Sequence, residues 1–252
     1  MHRKHTGTTA VVMVALALLA GCGGGSDTPA PPATSAEGLW SGSTGAGQTI
    51  TGFVLDDGTY YILYSPPGNA ALVAGFIQGS GVSGDGSFTS GNGQDFNFQG
   101  TGVLPVTLSG SYTEKQAFGG SVSYGAAGVV TFSSSYNTNY EAPPLLSTLS
   151  GTFSGQSATS ASVDNATFAI SATGVVTGIS TAGCTVTGTA APRSHGNIFA
   201  LALTFGPPPC SMPNQTLTGM AYYSVATRRL LAAAQTSART QGYLFTGSKL
   251  AD

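Results

Sequence analysis

The 252-residue chain is sparsely charged, with eight Lys and Arg against ten Asp and Glu and with 37 glycines. A net charge of −2 and no Lys/Arg cluster argue against a nucleic-acid partner. Aromatic and β-branched residues recurring at strand spacing argue against a wholly disordered chain.

The N-terminus opens with basic His2, Arg3, Lys4 and His5, followed by an uncharged apolar run from Val11 to Ala20. That run is too short to read first as a membrane-spanning helix and has the order of a secretory signal. The sequence Leu19-Ala20-Gly21-Cys22 resembles the lipobox of bacterial lipoproteins. The resemblance implies that residues 1–21 are a signal peptide and that Cys22 receives a diacylglycerol on sulfur, with a further acyl chain (palmitate-type) on its new amino group. One acyl chain, at about 0.8 kcal/mol per buried methylene, binds only marginally, whereas several anchor stably. The partner implied is therefore a membrane, reached through lipid. Gly23 and Gly24 are not the acidic residues that retain such lipoproteins at the inner membrane, which points to the outer membrane and leaves its face open. Residues 22–36, rich in Gly, Ser, Pro and Ala, complete a lipidated cysteine and disordered linker.

Beyond Cys22, six basic residues face ten acidic ones. Eight of the acids lie before residue 145, where the one base is Lys115, so the two halves carry opposite net charge. Docking of the halves and chance both account for that asymmetry. From Thr49 the chain reads as short alternating runs broken by turn residues. Thr49 to Leu55 and Thr59 to Tyr64 flank Asp56-Asp57-Gly58, the strongest hairpin signal. Further strands are expected over Ala71 to Gln78, Phe96 to Gln99, Val103 to Tyr112, Phe118 to Tyr124 and Val129 to Tyr136. The second half adds runs beginning at Thr148, Ala166, Val175, Cys184, Ile198, Leu217 and Tyr243. Thr227 to Arg239 has helix-favouring Ala, Leu and Arg, but its neighbours argue for a strand.

The fold class expected is all-β: two small antiparallel β-barrel or β-sandwich domains after a signal peptide and flexible tether. Short matches suggest duplication: Gly38-Leu39-Trp40-Ser41-Gly42 with Gly151-Thr152-Phe153-Ser154-Gly155, Leu108-Ser109-Gly110 with Leu217-Thr218-Gly219, and Phe53/Leu55 with Phe168/Ile170. Pro143-Pro144 then divides a β-domain over residues 37–144 from a second over 145–252. The rival is one continuous sandwich or barrel. Cys184 and Cys210 remain as an even pair in an oxidising setting and read as one disulfide, worth about 3 kcal/mol by loop closure.

Candidate chemistry is sparse. His195, beside Ser194, is the one histidine beyond Cys22 and sits in a turn-like stretch; no Gly-x-Ser-x-Gly elbow accompanies it. Asp56 and Asp57 read as turn residues, as do Asp85 and Asp95, which lack the dense ligand spacing of a calcium loop. No catalytic residue, metal site or cofactor is therefore assigned. Fifteen of the 23 aromatic residues fall in the first half, and Tyr60 to Tyr64 is apolar on both strand faces. One face then belongs to a core and the other to a domain contact, or one lines a ligand cavity with Trp40, Tyr60 and Tyr64. In outline the chain looks like surface lipoproteins with barrel domains behind a tether, of the transferrin-binding and factor H-binding types. That likeness implies a non-enzymatic binding or structural role and names no partner; a small-ligand carrier is the alternative, and a hydrolase with a concealed site is the third.

Overall fold

The structure is a computed structural model that describes His2 and residues 34–251; the expected signal peptide, its lipidation site Cys22 and the expected linker up to residue 33 lie outside the described residues, His2 apart. Nine strands form the first sheet: β1 (Gly38–Thr44), β2 (Thr49–Val54), β3 (Thr59–Tyr64), β4 (Gly75–Ser80), β5 (Val82–Gly84), β6 (Ser87–Asn97), β7 (Gly102–Thr113), β8 (Ala117–Ser123) and β9 (Val129–Tyr136). Their order is β4-β3-β2-β1-β9-β8-β7-β6-β5, and a β4–β6 pairing closes eight of them into a barrel, with β5 a short hairpin arm on β6. The second sheet is a closed antiparallel barrel of β10 (Gly151–Thr159), β11 (Val163–Ile170), β12 (Val175–Ser180), β13 (Thr185–Pro192), β14 (Phe199–Phe205), β15 (Thr216–Ser224), β16 (Arg229–Gln235) and β17 (Gly242–Lys249). Pro143 and Pro144 lie in the connection between the barrels, after a 3-10 turn (Thr138–Glu141) and before the four-residue helix α1 (Leu146–Leu149). The protein is thus all-β and built of two antiparallel barrels.

The short sequence matches fall on equivalent strands. The Gly-x-x-Ser-Gly segments open β1 and β10 and the Leu-Ser/Thr-Gly segments lie in β7 and β15; the Phe-x-Leu/Ile pairs fall at the end of β2 and in β11 but face differently, Phe53 and Leu55 outward and Phe168 and Ile170 into the barrel. These are the first, sixth and second strands of each eight-stranded barrel. The shared glycines have a geometric reason. β1 must pair with β9, and β10 with β17, to close each barrel. A Cβ on Gly42 would overlap the Ser133 carbonyl, and one on Gly155 the Thr246 carbonyl. Glycine at these two seams lets the closing strands approach, as it does where barrels bend sharply.

Each barrel fills its own interior. Trp40, Ile50, Val54, Tyr60, Phe88, Leu108, Phe118 and Phe132 pack inside the first; Phe153, Phe168, Val176, Leu203, Phe205, Tyr243 and Phe245 pack inside the second. A third apolar cluster joins the outer faces of both, with Phe53, Tyr61, Leu63, Phe76 and Phe96 against Ala158, Ile198, Tyr222, Leu231, Ala233 and Leu244. Tyr60 and Tyr64 therefore belong to the first interior while Tyr61 and Leu63 belong to the contact between barrels. The same demand explains β16. Its alternate residues Leu230, Ala232 and Ala234 point into the second barrel, and Leu231 and Ala233 into the contact. Helix propensity is worth less than about 0.7 kcal/mol per ordinary residue. Burying each leucine is worth about 1.5–3 kcal/mol, so burial on two faces decides for strand.

Several boundaries differ from the sequence reading. Ordered packing begins by Thr34, not at Glu37. Ala36 is wholly buried, its N–H donates to Ser83 Oγ at 3.1 Å, and its carbonyl accepts the indole N–H of Trp40 at 3.0 Å. β4 starts at Gly75, because Ala71 to Ala74 belong to the preceding loop. β6 starts nine residues before the expected Phe96, its Ser- and Gly-rich half being held by the ladder to β7 across a bulge between Ser90 and Gly93. The Cys184–Cys210 disulfide is formed and ties the β12–β13 turn to the β14–β15 loop.

The seam argument predicts that Gly42→Ala and Gly155→Ala each cost roughly 1–3 kcal/mol as overpacking. Gly84→Ala, with open space around the added methyl, is expected to stay within about 0.5 kcal/mol of the parent. Chemical denaturation followed by circular dichroism measures all three, and equal stabilities would remove the seam explanation.

Candidate functional site

The main opening in the first barrel is at the end where the β1–β2, β3–β4 and β8–β9 connections converge. A cavity of about 270 Å³ lies there, lined by Ile50, Ile62, Ile77, Val122, Val130 and Phe132 on its walls and by Tyr64, Tyr124, Asp95 and Asn97 among its polar groups. Inward positions of alternating strands place each of them: Ile50 on β2, Ile62 and Tyr64 on β3, Ile77 on β4, Asp95 and Asn97 on β6. An eight-stranded barrel is just wide enough to be filled by side chains or to hold one small ligand. Here both happen, at different depths. Trp40, Tyr60, Phe88 and Phe118 fill the middle, leaving a gap of about 20 Å³, and Ala36 and Tyr112 pack towards the far end.

Asp95 is the chemically distinctive group. It is a turn residue in the sequence reading, and the structure corrects this: it lies on β6, 3% exposed, with its side chain on the cavity. The Tyr64 hydroxyl donates to Oδ1 at 2.6 Å and the Tyr124 hydroxyl to Oδ2 at 3.0 Å. Gly75 makes room for the Tyr64 hydroxyl, since any Cβ there would overlap it. Burial raises the pKa of Asp95 above the ordinary carboxylate value, and the two phenol hydrogen bonds pull the other way. Burial first, then the neighbouring carboxylate, pushes both tyrosines up, so they stay protonated donors. Removing a carboxylate from water costs several kcal/mol. Two hydrogen bonds to a charged acceptor return about 1.5–3 kcal/mol each. The carboxylate is thus held without a countercharge: among the described residues, no Lys, Arg or His forms an ion pair with it.

Of the three residues expected to line a ligand, Tyr64 reaches the cavity, while Trp40 and Tyr60 sit deeper in the filled interior. The Tyr60 hydroxyl is within 3.1 Å of Ser90 Oγ. Sequence reasoning missed Asp95, Asn97 and Tyr124. The available signal was Asp95-Phe96-Asn97-Phe98, a polar–aromatic alternation that reads as a strand with one polar face.

Other candidates resolve into structure. Asp56 and Asp57 form the β2–β3 turn, where Asp57 Oδ1 accepts the Thr59 N–H at 2.9 Å. Arg193 of the second half reaches Asp56 at 2.5 Å and Asp57 at 3.6 Å in the first, one ion-paired contact between the halves. Asp85 is in the β5–β6 turn, at φ 49°. Ser194 and His195 lie in the β13–β14 connection, beside a polar groove of about 510 Å³. His195 Nδ1 is 3.6 Å from a Glu37 carboxylate oxygen, and that same oxygen accepts the Tyr140 hydroxyl at 3.0 Å. In the second barrel, the end tied by the disulfide retains a space of about 50 Å³ between Phe205, Tyr243, Ser157 and Thr159. No group of three metal-ligating side chains occurs among the described residues.

No protein-family model matches the chain, and no curated protein matches it. Among solved structures it is similar to the vaccine antigen transferrin-binding protein B, a double mutant, from Haemophilus parasuis Hp5. Identity is 12% and the TM-score 0.30, over 82% of this chain and 51% of that one. The chain spans about half the length of that protein, and so low an agreement transfers neither a site nor a partner.

Because the folded-state pKa of Asp95 is raised, the sign of its linkage is fixed. The stability tied to its protonated form is fully present below the unfolded value of 3.8 and is lost as pH rises through the folded value. Tyr64, Tyr124 and Asn97 are the polar groups facing it and do not titrate in that window. Relative to Asp95→Asn, the parent is expected to lose stability as pH increases from 3.5 towards 7.5. Denaturant titrations of both proteins across that range measure the difference, and a flat or rising difference contradicts the assignment.

Proposed function

We propose that this protein is a lipid-anchored cell-envelope protein, attached through Cys22, whose role is non-enzymatic binding of a small molecule in the mouth of its first barrel. The observation that carries this reading is the cavity itself: apolar walls, one end open, and a few converging polar groups around a buried carboxylate. Such a combination is the usual form of a small-molecule site. At about 270 Å³ it falls just below the range of about 300–1,000 Å³ for drug-sized ligands, so the ligand is small. In this reading residues 1–21 are removed, the stretch from Cys22 to residue 33 tethers the fold, and the two β-domains divided near Pro143-Pro144 stand clear of the outer membrane.

Two measurements test its two parts. Native mass spectrometry of protein purified from its own cells is expected to show a small co-purifying molecule, lost when Ile62→Trp fills the cavity. Repeated absence of any adduct counts against the carrier role. Cys22→Ser is expected to remove the acyl mass increment and release the protein from the membrane fraction. Retention in that fraction without acylation would overturn the anchor.

A further inference from the structure

We infer that the ligand of the first-barrel cavity is a small apolar amine, whose ammonium group pairs with Asp95. This inference rests on the reading of the cavity as a binding site and names the chemistry of its occupant.

The walls set the body of the ligand. Ile50, Ile62, Ile77, Val122, Val130 and Phe132 offer hydrocarbon and no hydrogen bond, so the part of the ligand against them is apolar. The polar end sets the other half. An ionised carboxylate only accepts hydrogen bonds, through two oxygens with about four lone-pair sites. One site on each oxygen of Asp95 is taken by a phenol, Tyr64 or Tyr124, which leaves acceptor capacity on both. With their hydrogens directed to Asp95, the two phenol oxygens can only accept as well. Around the carboxylate the open sites are therefore acceptors that call for a donor, and an ammonium supplies three; Asn97, Gln48 and Thr44 on the same lining can serve a polar ligand group as donor or acceptor.

Charge points the same way. Asp95 has no cationic partner among the described residues, so a cation entering the cavity meets a negative group that the fold leaves unneutralised. The rings of Tyr64, Tyr124 and Phe132 border the same space and offer π-faces that also attract cations. A divalent metal ion fits less well, because a single carboxylate provides too few of the six to eight oxygen ligands that calcium takes.

The test uses three probes of one chain length, n-hexylamine, 1-hexanol and hexanoate, added to the full-length lipoprotein in detergent at pH 7.5. The chain's single tryptophan, Trp40, lies just beneath the cavity and shares the neighbours Ile50 and Phe132 with it, so its fluorescence reports occupancy. Hexylamine is expected to bind at least tenfold more tightly than hexanol, with hexanoate weakest. Asp95→Asn is expected to weaken hexylamine at least tenfold while leaving hexanol within about twofold. Equal binding of hexanol and hexylamine to the parent protein overturns the amine assignment and leaves the cavity as a binding site. Failure of all three to bind, or unchanged binding of all three in Ile62→Phe, which narrows the cavity without adding a second tryptophan, overturns the cavity reading along with it. The comparison of probes on the parent decides the matter even where Asp95→Asn does not fold.

Discussion

The contact between the two barrels rests on a ladder of stacked aromatic rings. Phe53, Tyr61, Phe76 and Phe96 occupy the outer face of β2, β3, β4 and β6, with ring centroids 5.3, 6.3 and 4.6 Å apart and planes within 26° of parallel. Register creates the ladder: Phe53 lies opposite Tyr61, and Phe76 opposite Phe96. A surface of parallel rings is flat, and the second barrel meets it with small residues. Ala158 and Ala233 pack there, and a Cβ on Gly242 would come within 2.6 Å of Phe96. Polar groups close the margin, with Tyr61 and Gln235 hydrogen-bonded at 3.1 Å and Arg239 donating to the Gln78 carbonyl at 2.5 Å. Stacked aromatic pairs add about 0.5–1.5 kcal/mol each beyond the area they bury.

That outer face constrains the inner one. Residues alternate in a strand, so strands with aromatic residues on the outside place their intervening residues inside the barrel. Ile62 lies between Tyr61 and Leu63, and Ile77 follows Phe76; both are walls of the cavity. The wall is therefore backed by the second barrel, which holds β3 and β4 from behind. Asp95 precedes Phe96 in the same way, so the ring stacked against Phe76 fixes the strand that carries the carboxylate. A site built on strands clamped from behind has little freedom to collapse around its opening.

Much of the fold is legible in the sequence because burial and turns leave strong marks. Thr59 to Tyr64 and Val129 to Tyr136 coincide with β3 and β9, and the all-apolar Tyr60–Tyr64 segment announces a strand covered on both sides. What stays hidden is held by partners and not by its own side chains. The Ser87–Gly93 half of β6 is polar and glycine-rich, and it becomes strand because β7 supplies its hydrogen bonds. Asp95 falls at the end of that stretch, so reading the stretch as turns removed the carboxylate from consideration. Tyr124 escapes for a different reason: it follows β8 in the turn to β9, and pairing of β8 and β6 on either side of β7 brings its hydroxyl to 3.0 Å from Asp95 on β6.

The two barrels have put equivalent ends to different use. The open end of the first is formed by its β1–β2, β3–β4, β6–β7 and β8–β9 connections. The corresponding connections of the second are β10–β11, β12–β13, β14–β15 and β16–β17, and two of these are joined by the Cys184–Cys210 disulfide. Beneath them Phe205 and Tyr243 meet edge to face at 5.0 Å and occupy much of the space that Asp95 and its tyrosines leave open in the first. Closing a loop of this length by a cross-link contributes about 3–4 kcal/mol in the chain-entropy model. The second barrel thus has a stapled, filled end, while the first keeps a buried charge at an open one. A buried carboxylate lowers stability unless it is paired, and among the described residues the second barrel buries no such group. Phe96, next to Asp95 on β6, stacks on Phe76 within the contact between the barrels, so the second barrel braces the strand that carries the buried charge.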